Sequence, residues 1–166
     1  MNLNKTLTIL TIFLGIVFSS SSCNNGESDN KVTMGGTVHF ITDAYYIDYE
    51  LHEGDYYQIG LLLYGMTSTV SSSLVSFQMY SDVAHDIGDG SYTYSKRSKN
   101  FSFNSGSWNV NGGTPVVINK GTIDVLHLDN NKYLFTLSCE DENGYPVTGK
   151  FEGEMFEQKL KSEIEQ

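Results

Sequence analysis

Proline and cysteine are scarce in this chain, two of each, and there is a single tryptophan. Basic residues are also few: 10 Lys and Arg stand against 20 Asp and Glu. Each shortage excludes something. An acidic surface repels phosphate backbones and anionic lipid, so nucleic acid is excluded as a partner. No stretch reaches the ~20 apolar residues that a helix needs to cross a bilayer. Metal binding through histidine is disfavoured, because His39, His52, His85 and His127 share no ligand spacing. Few prolines leave room for long, uninterrupted strands.

The N-terminus is built in three parts. Lys5 is the first charge, the uncharged run from Thr6 to Phe18 follows, and Ser19 to Ser22 lead to Cys23. This order is that of an export signal. A small residue before a cysteine at the cut is what lipoprotein processing requires. Residues 1–22 therefore resemble the leader of bacterial lipoproteins cut at a lipobox, with Ser20 where that pattern usually has leucine. The resemblance implies lipidation of Cys23 and attachment to a membrane. Two or more acyl chains hold a protein there stably, where one is marginal. Residues 23–33 are expected to be the lipidated cysteine and a flexible tether, since 24–31 contain no apolar residue. Glu27 and Asp29 are similar to the acidic sorting signals of Bacteroidota-type lipoproteins. They imply an outer-membrane location, on its periplasmic or its exposed face.

Removing 22 residues leaves 144 of 166 and takes away one Lys and no acid, so the formal charge falls from −10 to −11. That is the length of one domain. With Cys23 lipidated, Cys139 has no partner for a disulfide, so the fold must rest on its core. The core material is aromatic: 11 Tyr, 9 Phe and Trp108, with 16 Gly for turns.

Apolar residues recur with period 2, which predicts strands. Val38 and Phe40 alternate with Thr37 and His39, and Tyr45, Ile47 and Tyr49 alternate with polar or aromatic neighbours. Further strands are expected at 56–64, 75–79, 91–95, 100–104, 107–110, 115–118, 122–128, 132–139 and 147–155. A two-residue Asn143-Gly144 turn would set Phe135 opposite Glu152 and mix the faces. A three-residue loop, Glu142-Asn143-Gly144, instead sets Phe135 against Phe151 and Leu137 against Gly149. Gly144 then takes the left-handed position. A similar loop at Asp129-Asn130-Asn131 pairs Val125 with Phe135, Ile123 with Leu137 and His127 with Tyr133. The expected core face is Ile123, Val125, Phe135, Leu137, Cys139, Phe151 and Met155. Phe156, Leu160 and Ile164 recur every fourth position, as on one side of a short helix that could cover Leu126, Leu128 and Leu134.

The expected fold is all-β: an antiparallel β-sandwich or calycin-like β-barrel of about 8–10 strands, spanning 34–156, with a charged tail at 157–166. The segments Asp89 to Tyr94, Lys120 to Val125, Tyr133 to Leu137 and Gly144 to Gly153 resemble the C-terminal half of small Bacteroidota lipoproteins that have no assigned function. That resemblance implies a fold and no mechanism.

Candidate sites are thin. Asp82, Asp86 and Asp89, beside Gly88 and Gly90, form a weak calcium candidate without the helix–loop–helix spacing. Cys139 continues the core row and precedes Glu140-Asp141-Glu142, a setting that disfavours a thiolate nucleophile. The acids fall on turns and outward strand positions, so no paired carboxylates for glycoside hydrolysis stand out. No cofactor motif occurs. The aromatics Tyr45, Tyr46, Tyr49, Tyr56, Tyr57 and Trp108 are the candidate ligand-facing residues, offering flat faces with polar tips to a glycan or a protein. The expected function is a membrane-anchored, non-catalytic binding lipoprotein. A calycin-like carrier of a small apolar ligand and a structural subunit of a surface complex are the alternatives.

Overall fold

The period-2 pattern becomes nine strands. They are β1 (Lys31–Met34), β2 (Thr37–Glu53), β3 (Tyr56–Met66), β4 (Ser72–Ser81), β5 (Gly90–Tyr94), β6 (Ser102–Val110), β7 (Val116–Asp129), β8 (Lys132–Asp141) and β9 (Pro146–Glu157). The structure, a computed structural model, describes residues 30–67 and 71–159. The leader 1–22, Cys23 and the tail positions Leu160 and Ile164 lie outside the described residues.

The strands close into a barrel in the order β1-β2-β3-β4-β6-β5-β7-β8-β9. The barrel alternative therefore holds and the sandwich does not. Neighbours are antiparallel except β5–β6 and β2–β9, which are parallel. The seam is unusual. β1 sits between β9 and β2 over its four residues. Beyond Asn30, β2 pairs with β9 directly, Ala44 against Met155.

Several expected boundaries move. β1 begins at Lys31, inside the stretch read as tether, because Val32 and Met34 carry a buried apolar row into the wall. The segments 100–104 and 107–110 belong to one strand, β6, apart from its first two residues. The segments 115–118 and 122–128 likewise merge into β7. Gly106 and Gly121 interrupt the apolar pattern without ending the ladders. Phe156 and Glu157 continue β9, so the expected helix does not start there, and no helix occurs among the described residues.

The C-terminal meander has the register expected of it. Phe135 faces Phe151 and Leu137 faces Gly149. Val125, Ile123 and His127 face Phe135, Leu137 and Tyr133. The turn before β8 is tighter than expected. Asp129 pairs with Lys132, and an irregularity at Leu128 restores the phase. All seven expected core residues of the meander are buried.

The barrel interior is one apolar cluster. Phe77, Phe103, Phe135, Phe151 and Tyr92 point inward, each at most 3% exposed. Edge-on and tilted ring pairs, such as Phe77–Phe103 at 5.3 Å and Phe135–Phe151 at 6.3 Å, fill the space.

Gly144 has φ +84°, and its nearest neighbour to an added Cβ lies 4.0 Å away. Space is not the constraint there; backbone strain is. Gly144→Val is expected to lower unfolding free energy by about 1–3 kcal/mol. Asn143→Ala should lose less, since Asn143 has no left-handed backbone. Denaturant unfolding of both variants measures the difference, and equal small losses would contradict the strained turn.

Candidate functional site

The two ends of the barrel differ. At one end, the segment between β4 and β5 folds over the opening and inserts Ile87, which is 1% exposed. Side chains fasten it. The Tyr133 hydroxyl donates to Asp86 Oδ1 at 2.6 Å, and Ile87 N donates to the same oxygen at 2.7 Å. Ser81 Oγ accepts from Gly88 N at 2.9 Å, and the Tyr92 hydroxyl donates to Gly88 O at 2.9 Å. His85 Nδ1 pairs with the Asp48 carboxylate, which raises the His85 pKa through that hydrogen bond and charge. Asp89 Oδ1 accepts from His127 N at 2.5 Å.

This arrangement gives two acids of the calcium candidate partners within the protein. Asp86 and Asp89 each serve a different protein donor, and Asp82 is exposed beside Gly88. Among the described residues, no group of three His, Cys, Asp or Glu side chains could hold a metal ion. Asp86 and Asp89 fasten a plug.

The candidate tyrosines disperse. Tyr46 is half-buried against the core near the plug; burial first, then Glu157, Asp86 and Asp48, raise its pKa. Tyr57 lies 6.4 Å from His85. Tyr56 meets Tyr80 edge-on at 5.2 Å. Tyr49 covers Gly60. Tyr45 is on the outer wall, edge-on to Tyr64 at 5.6 Å and tilted against Phe156 at 6.1 Å. Trp108 stands apart from all of them, at the other end.

That end carries a cleft of about 410 Å³, lined in part by Met34, Thr37, His39, Ser71 and Trp108. Trp108 lies over the β1–β2 turn. A Cβ at Gly35 would come within 2.9 Å of the indole. The ring is held from the far side, where its Nε1 donates to Asp141 Oδ2 at 3.3 Å. Asp141 is 1% exposed, and its Oδ1 accepts from Asn143 N and Tyr145 N. The closing hairpin of the meander thus positions the indole.

His39 also lines the cleft, and the alternation of Val38 and Phe40 did not reveal it. Val38 is 44% exposed and His39 only 2%. The inward row of β2 is His39, Ile41 and, past an irregularity, Ala44. The signal available was Ile41, which is in phase with His39 and out of phase with Val38. Buried His39 Nδ1 has no hydrogen-bond partner, and neither has Ser73 Oγ, which enters the wall at the same end. Buried polar atoms are normally satisfied, so an orphan in an open cleft points to water or a ligand.

Burial pushes the His39 pKa below its ordinary value of 6.5. The folded state therefore holds this ring neutral while the unfolded state protonates it. Its contribution to stability is full above pH 6.5 and declines as pH falls below that value. His85 acts in the opposite sense, its contribution fading as pH rises through its raised pKa. Unfolding free energy measured against pH should thus lose part of its acid sensitivity in His39→Gln relative to the parent. An unchanged profile would contradict the burial of this ring.

Cys139 is buried, as its place in the core row implied, and burial pushes its thiol up to about 11. Comparison with known proteins returned no match to a family model, a curated protein or a solved structure.

Proposed function

We propose that this chain is a non-catalytic binding lipoprotein of the outer membrane, held by lipid on Cys23, with its ligand site in the Trp108 cleft. One observation carries the reading: His39, whose buried Nδ1 has no partner among the described residues, lines an open cleft beside the only tryptophan. An indole offers a flat apolar face, and the His39 imidazole beside it can make directional hydrogen bonds. Ring-bearing neutral ligands with hydroxyl groups fit that pair, and sugars are the plainest such class. The protonated, enclosed Cys139 thiol and the use of Asp86 and Asp89 as plug fasteners agree with a role without catalysis. Carriage of an apolar ligand inside the barrel is disfavoured, because aromatic rings occupy the interior.

Trp108 supplies the assay. Titration with a panel of neutral oligosaccharides is expected to give a saturable change in its fluorescence for at least one member. His39→Ala should weaken that binding about tenfold or more, the effect of losing a hydrogen bond worth roughly 1.5 kcal/mol. No saturable change across the panel, or hydrolysis of a glycoside abolished by a single Asp or Glu substitution, would overturn the reading.

A further inference from the structure

Among the described residues, the outer wall of the barrel carries an exposed apolar strip. Val38, Met66, Tyr64 and Phe156 are 44%, 49%, 37% and 48% exposed. Strand register makes them neighbours: Phe40 faces Met66, and Tyr45 faces Phe156. The Tyr45 ring bridges Tyr64 and Phe156. Asp43 and Lys31 are charged residues at this strip: Lys31 pairs with Phe40, and Thr42 Oγ1 donates to Asp43 at 2.7 Å.

The point where the chain enters the wall lies beside the strip. Asn30 is pinned between β2 and β9. Its O accepts from Ile41 N at 2.8 Å, its side-chain oxygen accepts from Glu152 N at 2.7 Å, and its side-chain nitrogen donates to Glu152 O at 2.9 Å. Just beyond it the two strands pair with each other. The described chain thus starts at Asn30, at the end of the strip that holds Phe40. Cys23 lies seven residues earlier. At full extension that span is at most roughly 25 Å.

We propose that the strip from Val38 and Phe40 through Met66 and Tyr64 to Tyr45 and Phe156 rests on a neutral phospholipid surface. The proposal builds on lipidation of Cys23. A tether that short, joined beside the strip, brings this wall toward the bilayer more readily than the opposite one. Aromatic and aliphatic side chains of this kind partition into the headgroup boundary, which keeps a carboxylate such as Asp43 hydrated. The acidic charge of the chain selects zwitterionic lipid over anionic lipid. Val38 belongs to both the strip and the cleft, so the docked barrel opens its cleft at the edge of the membrane surface.

The test uses the full chain, expressed with its own leader and reconstituted into phosphatidylcholine vesicles with or without brominated acyl chains. Met66→Trp reports the strip. Ser105→Trp reports β6, three strands from β2 around the barrel, where Ser105 is exposed. Trp108 is a common baseline in both. Bromine should quench the added fluorescence of Met66→Trp at least twofold more than that of Ser105→Trp. Equal quenching overturns the proposal. The mass of the purified protein reads acylation separately. If no acyl chain is present, a maleimide-bearing lipid coupled to Cys23 restores the tether and the same comparison is made. Acylated protein with equal quenching removes the strip and keeps the anchor. Protein without acyl chains that shows the twofold difference once coupled removes the anchor and keeps the strip.

Discussion

Gly149→Ala is expected to lower the unfolding free energy by about 3–5 kcal/mol, the range of large core disruptions. A Cβ at Gly149 would stand 2.1 Å from Lys31 O and 2.6 Å from Val32 Cα. Both are backbone atoms, which cannot rotate aside as a side chain does. β1 would have to move off β9. That strand closes the seam and buries Val32 and Met34, at 0% and 1% exposure. Exposing two such side chains forfeits roughly 1.5–3 kcal/mol each, which sets the magnitude. Gly153→Ala is the control on the same strand. There the nearest neighbour is the Phe151 ring, at 2.9 Å. A ring can shift by a few tenths of an ångström, so the loss should be about 1–2 kcal/mol. Denaturant midpoints of the two variants test the difference. Equal losses would mean that β1 does not pass so closely over β9.

Asp141→Ala is expected to lower stability by about 2–4 kcal/mol, because it removes three hydrogen bonds from one buried carboxylate. The donors are Trp108 Nε1, Asn143 N and Tyr145 N. The two backbone donors lie in an exposed loop where water can replace the acceptor, which keeps the loss below the sum of three bonds. Asp141→Asn preserves shape and one acceptor, and should lose about half as much. A second readout separates this residue from a generic core position. Without the carboxylate the indole loses its anchor, so Trp108 emission should shift to longer wavelength in the folded variant. A stability loss with unchanged emission would mean that Asp141 holds only the hairpin.

The C-terminal half was legible because its determinants are local. The meander from β7 to β9 follows from alternating apolar residues and from turn residues that allow one loop length. A shift of one residue would have exposed Phe135 and Phe151 together. Gly144 at φ +84° is where that argument placed a left-handed residue. The first strand was missed for a corresponding reason. Lys31–Met34 has only two apolar positions. Only its two partners, β2 and β9, make it part of a wall. His39 was placed with the polar residues of its strand because Val38 and Phe40 look like the inward pair. The closed wall turns them outward.

The sequence by itself determined an all-β chain and the register of its last three strands. These depend on period, turn residues and residue type within about thirty positions. Tertiary structure decided that the sheet closes as a barrel, through the pairing of β9 with β1 and, beyond it, with β2 some 110 residues earlier. It also decided that the acidic run at 82–89 is a plug, and that Trp108 and His39 share a cleft. Those outcomes depend on which distant strands meet. Loop closure over long separations leaves no periodic trace in the residues being joined.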